Sequence, residues 1–274
     1  MDPLFFLAYA VLGIVAGFAA GLLGIGGGML LVPFMTALLT AQGIPMDLVV
    51  HAAIATSMAS IIFTSMSSVR AHHMRRAVRW DLVASFAPGI VIGGLVSGGA
   101  VFAALKTGWL ALVFSLFVGY SALQMLRNRK PKPSRQMPGR LGTGAVGSVI
   151  GFVSGLVGAG GGFISVPFMT WCNVALHQAV GTSAALGFPI AIANTVGYIW
   201  SGMQASDLPP GMLGYVYWPA LLVLVFFSML FAPLGAKLAH SLPVATLKKV
   251  FAALLFMLAF YMLNKAATAF QWFT

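Results

Sequence analysis

Long apolar runs separated by short polar segments fill almost the whole chain, and each run predicts a helix. The predicted helices cover residues 3–23, 29–40, 50–69, 82–104, 108–126, 141–157, 163–173, 177–200, 214–236 and 246–264. A membrane-spanning helix needs about 20 residues, and most of these runs approach that length. The runs 29–40 and 163–173 are too short to cross alone, and each follows a glycine cluster. Each is therefore predicted to be half of a discontinuous or re-entrant helix.

The composition assigns these helices to a membrane rather than to a soluble core. Apolar residues make up 60% of the 274 residues, charged residues only 7%, and Glu is absent. Soluble domains usually carry about 25% charged residues, which they need to cover their surface. The sequence therefore predicts an all-α polytopic membrane protein that lies in a lipid bilayer.

The net charge of +11 does not indicate a nucleic-acid partner, because the basic residues are confined to short loops between apolar runs. Loops of this kind face the cytoplasm and anionic lipid headgroups. The single cysteine, Cys172, excludes an internal disulfide framework.

The chain contains the same sequence pattern twice. "GLLGIGGGMLLVPFMT" at 21–36 matches "GLVGAGGGFISVPFMT" at 155–170, and "HAAIATS" at 51–57 matches "HQAVGTS" at 177–183. A long shared pattern of this kind indicates an internal duplication. We expect a first transmembrane repeat at 1–126, a basic cytoplasmic linker at 127–140 and a second repeat at 141–274.

The basic residues favour an inverted relation between the two repeats. If each glycine-broken helix makes no net crossing, about three spanning helices remain per repeat, and the two repeats are antiparallel. The loops 70–80, 127–140 and 237–249 then share one side, with 13 of the 15 Lys and Arg residues. A parallel arrangement would split them 11 against 4. The positive-inside rule therefore predicts an inverted repeat with both termini outside.

Inverted repeats with broken helices commonly place a substrate site where the broken ends meet. Glycine permits a sharp turn and close approach of a ligand, and the N-terminus of each half-helix would present free N–H groups to an anion. Hydroxyl groups on the next helix could bind the same anion without placing a full charge in the membrane. The predicted substrate-binding residues are Gly26, Gly27, Gly28, Met29, Thr56, Ser57, Gly160, Gly161, Gly162, Phe163, Thr182, Ser183 and Asn194.

His51 and His177 could supply a proton or a switchable charge. Structural alternatives stay open for all of these residues. Glycines in membrane helices often serve close packing. The Thr and Ser residues could form hydrogen bonds between helices or at a helix start, the histidines could be interfacial or capping, and Asn194 could make a structural hydrogen bond.

No motif in the sequence indicates an enzyme, a metal site or a cofactor. There is no Walker sequence, no HExxH and no Ser/His/Asp arrangement. No Asp or Glu falls in the middle of a predicted span, so a carboxylate relay for protons or sodium is not expected.

The doubled Gly-x-Gly-Gly-Gly and Val-Pro pattern, the downstream "ATS" and "GTS", and the basic linker resemble the sulfite exporter TauE/SafE family of membrane permeases. The similarity covers residues 8–265. It implies a multi-pass transporter of the bacterial-type inner membrane for a small sulfur-containing anion such as sulfite, sulfoacetate or a related organosulfonate. Gly26, Gly27, Gly28, Gly160, Gly161 and Gly162 match the family motif, as do Pro33 and Pro167.

The hypothesis that follows is a secondary transporter or facilitator that exports this anion through a central site between the repeats. A negative-inside potential favours anion efflux by about 2.3 kcal/mol per charge at 100 mV. The alternative is a membrane-embedded scaffold or assembly subunit without transport activity. The sequence leaves the particular anion, the coupling ion and the oligomeric state open.

Overall fold

The structure is a computed structural model that describes residues 2–23, 28–127, 134–205, 208–238 and 244–271. The helices are α1 (Pro3–Leu23), α2 (Gly28–Ala41), α3 (Val49–Met74), α4 (Trp80–Val96), α5 (Phe102–Ala104), α6 (Thr107–Arg127), α7 (Arg140–Val157), α8 (Gly162–Trp171), α9 (Leu176–Gly202), α10 (Trp218–Leu238) and α11 (Val244–Ala269). A π-helical segment, Ser97–Val101, joins α4 to α5. An antiparallel hairpin of β1 (Met212–Leu213) and β2 (Val216–Tyr217) precedes α10.

The predicted all-α polytopic class is confirmed. Within the described ranges, eight helical segments are long and apolar enough to cross a membrane, four in each half of the chain. Each half also contains one short helix, α2 of 14 residues and α8 of 10 residues, directly after its glycine cluster. The first helix of each broken pair, α1 or α7, is itself long enough to span, and three further long helices complete each half.

Among the predicted boundaries, those of α3, α10 and α11 are displaced by four or five residues, and α11 ends at Ala269 rather than near residue 264. α3 continues through Arg70 to Met74, although that stretch is charged and polar. α10 begins at Trp218 rather than near residue 214, because the hairpin takes up the start of the run.

The helices pack in four extensive pairs: α1 with α10, α4 with α7, α3 with α9, and α6 with α11. Gly17 and Gly151, which are aligned in the duplication, make equivalent close approaches. A Cβ on Gly17 would collide with the backbone of Ser228 in α10, and a Cβ on Gly151 would collide with that of Ile90 in α4. For these two glycines close helix packing is the role that the contacts support.

The molecule has two ends: the hairpin end, which contains β1 and β2, and the linker end, which contains the described linker residues 134–139. α1 and α2 form an antiparallel pair. The Tyr9 hydroxyl, in the first half of α1, donates to Gln42 Oε1 at 2.8 Å, just beyond the end of α2. α7 and α8 also form an antiparallel pair. The Ser134 N–H, which precedes α7, donates at 3.2 Å to the carbonyl of Trp171, the last residue of α8.

Candidate functional site

The two glycine breaks meet inside the molecule. Gly28, the first residue of α2, lies directly against Gly158, the residue after α7, so closely that a Cβ on Gly28 would collide with the Gly158 carbonyl oxygen. Gly158 and Gly161 have φ angles of +68° and +75°, in the left-handed region that glycine adopts without strain. The chain can therefore turn twice between α7 and α8 while another helix start packs against it.

α8 presents the backbone donors of a helix start at this point. The N–H groups of Ile164 and Ser165 donate to the Gly161 carbonyl at 3.1 and 2.9 Å and begin the hydrogen-bond ladder of the helix. The preceding N–H groups of Gly162 and Phe163 have no carbonyl one turn earlier in the helix, as at every helix start. Such an end carries about half a positive elementary charge. It is a favourable environment for an anion.

The long helices α3 and α9 cover the breaks with one face each. On α3, Ile54 lies against Gly158 and Ile61 lies against Gly28, and Ser57 shares their helix face. On α9, the Ser183 hydroxyl lies 3.4 Å from the position of a Cβ on Gly162, and Ile190 lies against Gly161. Ser57 and Ser183, the aligned serines of the two repeats, are therefore on the faces that approach the breaks.

Several hydroxyl groups in this region are buried and incompletely paired. The Ser57 hydroxyl is fully buried and has no hydrogen-bond partner among the described residues. The Ser165 hydroxyl donates to the Ser183 hydroxyl at 2.7 Å. Ser154, on the last turn of α7, is 2% exposed, and its hydroxyl also has no partner within the described part of the chain. Ser154 and Ser165 were missed by the sequence reasoning, which selected residues of the repeated motifs and Asn194.

The two threonines of the repeated Thr-Ser pairs have a different role from the serines. The Thr56 hydroxyl accepts the Tyr217 N–H at 2.9 Å, immediately before α10. The Thr182 hydroxyl accepts the Arg79 N–H at 3.0 Å, immediately before α4. Each threonine thus ties a helix start of the other repeat to its own long helix. These contacts match the structural alternative, and substrate binding by Thr56 and Thr182 stays a prediction.

The two aligned histidines are in different environments. His51 is buried, and its Nε2 lies 3.1 Å from the Phe102 carbonyl and 2.9 Å from the Leu105 carbonyl, beside the end of α5. Its ring packs against those of Phe102 and Tyr215, and burial raises the pKa of the Tyr215 hydroxyl. His177 is exposed at the start of α9. Neither histidine is among the contacts of the glycine breaks given above, so their proposed charge switch stays a prediction.

Asn194 is fully buried one turn beyond Ile190 on α9. Its amide N–H groups donate to the carbonyls of Ile190 and Gly151 at 2.9 and 3.3 Å, which ties α9 to α7. Its Oδ1 lies against Gly155 and accepts no hydrogen bond from the described residues. This geometry supports the structural alternative for Asn194, and a substrate contact stays a prediction.

Three glycines and the second residue of each short helix are the remaining predicted site residues. Met29 is buried and Phe163 is half-buried, both in the first turns of the short helices, whereas Gly26 and Gly27 lie outside the described residues. Of the residues that the structure describes, a Cβ on Gly160 would meet only Ile61, at 3.6 Å. The described acids, Asp2, Asp47 and Asp81, are all exposed. The described part of the site therefore offers hydroxyl and backbone N–H donors without a carboxylate.

Comparison with known proteins finds similarity to membrane transporter proteins. The chain is 35% identical over 262 residues to a "Probable membrane transporter protein" of Haemophilus influenzae, covering 95% of this chain and 99% of that protein. It is 26% identical to a similarly named protein of Methanocaldococcus jannaschii, covering 92% and 93% of the two chains. It is 29% identical to one of Bacillus subtilis, covering 75% and 84%. No solved structure matches the chain.

The sequence profile of the sulfite exporter TauE/SafE family matches residues 9–262, which is nearly the whole chain. The match includes both glycine breaks, both short helices and both Thr-Ser pairs. Together with the eight candidate spans, it identifies a multi-pass membrane transporter. The chain belongs to the sulfite exporter TauE/SafE family.

Proposed function

We propose that this protein exports a small sulfur-containing anion, such as sulfite, sulfoacetate or a related organosulfonate, through a central site formed by both glycine breaks. The observation that carries the proposal is the contact between Gly28 and Gly158, with the unpaired Ser57 hydroxyl on the covering helix. It supports a ligand site more than packing alone, because a buried hydroxyl without a partner costs about 1–3 kcal/mol.

The chemistry of the site favours an anion over a cation. Backbone N–H groups at the start of α8 and the nearby serine hydroxyls can all donate to an oxyanion. Binding a cation would require oxygen ligands with a negative charge, and the described acids lie on the surface. Family membership adds the sulfur-containing substrate class and favours transport over the scaffold alternative. Export also agrees with the membrane potential, which drives anions outward.

We further propose that the two repeats are inverted in the bacterial-type inner membrane. The free ends of α1 and α2 lie at the hairpin end, because His51, soon after α2, packs its ring 5.1 Å from that of Tyr215 in the hairpin. The free ends of α7 and α8 lie beside the linker, where Trp171 Nε1 donates to Ser134 Oγ at 2.7 Å. The basic residues of the linker favour a cytoplasmic location for that end. The expected topology has the hairpin end outside.

The proposed activity is tested with purified protein in liposomes loaded with sulfite, with an inside-negative potential imposed. We expect potential-dependent sulfite efflux, competition by sulfoacetate and little movement of chloride. Efflux no faster than from protein-free liposomes, for every sulfur anion tried and in both directions, would reject the proposal.

The proposed topology is tested with single cysteines in a Cys172→Ser background. Met46→Cys lies in the exposed loop after α2, and Ala175→Cys lies in the exposed loop after α8. With inverted repeats, a membrane-impermeant maleimide should label Met46→Cys in intact cells and Ala175→Cys only after permeabilisation. Labelling of both positions from the same side would contradict the inverted arrangement.

A further inference from the structure

We propose that Ser154 of α7 is a substrate-binding residue that donates a hydrogen bond to the transported anion at the start of α8. This inference rests on the proposed function, because it names a further contact in the same site. It goes beyond the repeated motif, since Ser154 belongs to no pattern that the two repeats share.

The position of the Ser154 hydroxyl supports this role. Its oxygen lies 3.2 Å from the place that a Cβ on Gly161 would occupy, immediately before the first residue of α8. The side chain is 2% exposed, and its hydroxyl has no hydrogen-bond partner among the described residues. A buried hydroxyl is normally paired, so an unpaired one that faces a helix start indicates a ligand or water at that place.

Other serines place further hydroxyl groups beside the same helix start. Ser183 approaches Gly162 from α9, and Ser165 of α8 donates to the Ser183 hydroxyl. Because Ser165 supplies its proton to Ser183, the Ser183 proton stays available for another acceptor. Ser154 and Ser183 therefore lie at Gly161 and Gly162, next to the free N–H groups of α8.

The first repeat lacks two of these three hydroxyl groups. In the duplicated alignment Ser154 corresponds to Ala20 and Ser165 corresponds to Leu31, whereas Ser183 corresponds to Ser57. The hydroxyl donors are thus concentrated around α8. We infer that the anion contacts the second repeat more extensively than the first.

The experiment compares sulfite binding to the detergent-purified full-length protein and to its Ser154→Ala variant by isothermal titration. We expect the dissociation constant for sulfite to rise about tenfold, which corresponds to one lost hydrogen bond to a charged group. Without sulfite, Ser154→Ala should melt at the same temperature as the original protein or slightly higher, because the variant removes an unpaired buried hydroxyl.

The matched control is Ser148→Ala, which lies on the same helix and removes a hydroxyl that donates to the Gly144 carbonyl at 3.3 Å. Its sulfite affinity should stay within twofold of the original. Ser154→Cys, a similar side chain with a weaker donor, should bind with intermediate affinity and serves if the alanine variant does not fold. Unchanged sulfite affinity in a folded Ser154 variant would overturn this inference alone, whereas absence of sulfite binding by the original protein would remove the proposed function itself.

Discussion

The two halves of the molecule are alike where their helices pack and different where hydroxyl groups approach the glycine breaks. Gly17 and Gly151 each allow a close helix contact, and Thr56 and Thr182 each accept a backbone N–H from the other half. By contrast, the first half has Ala20 where the second has Ser154. The comparison teaches that both halves build the scaffold, whereas the proposed hydroxyl contacts to the ligand come mostly from the second half.

The largest expected effect tests the shared packing. Gly17→Ala and Gly151→Ala should each lower the free energy of unfolding by about 3 kcal/mol, because the added Cβ collides with backbone atoms of a neighbouring helix. Thermal unfolding in detergent measures the loss of stability. Gly139→Ala is the control, since a Cβ there meets none of the described residues within 4 Å. If one of the two variants were as stable as the control, the halves would not be equivalent in packing.

The next prediction separates the two histidines. His51→Ala should lower the free energy of unfolding by about 2 kcal/mol, because it leaves a cavity and removes a donor from two buried carbonyl groups. His177→Ala changes an exposed side chain and should alter stability by less than about 0.5 kcal/mol. Equal losses in the two variants would show that their different burial has no energetic consequence.

A smaller and symmetric effect is expected at the two threonines. Thr56→Val and Thr182→Val keep the side-chain shape but remove the acceptor for the Tyr217 or the Arg79 N–H. Each should cost about 1 kcal/mol of unfolding free energy. Sulfite affinity should change little in either variant if these hydroxyls serve only to tie the halves together. A tenfold weaker affinity in either would instead assign that threonine to the substrate.

The sequence predicted the long helices better than it predicted the short segments that connect them. The apolar runs located α1, α6 and α7 to within about two residues, because uniformly apolar runs of this length form helices in a membrane. The β1–β2 hairpin was missed, because two-residue strands contain too few positions to show an alternating pattern.

The sequence also predicted only part of the candidate site. The repeated motif correctly indicated that α2 and α8 begin at glycine breaks, but it could not distinguish buried His51 from exposed His177, because neighbouring helices decide burial. It also gave no reason to select Ser154, a small polar residue in an apolar helix that lacks a counterpart in the other half.

Gly160 offers the most direct test, because its replacement should have the smallest effect on stability. Among the described residues, a Cβ there would meet only Ile61, at an ordinary contact distance of 3.6 Å, so Gly160→Ala should fold with a melting temperature close to that of the original protein. The same methyl group would lie in the second glycine break, beside which the proposed anion passes.

The decisive measurement is therefore sulfite efflux from liposomes containing Gly160→Ala, with Gly139→Ala as the control. The central claim, that the meeting glycine breaks form the anion site, predicts efflux at least about tenfold slower for Gly160→Ala and unchanged for Gly139→Ala, with equal folded protein in both. Efflux at the original rate through folded Gly160→Ala would contradict that claim and would place the anion path elsewhere in the molecule.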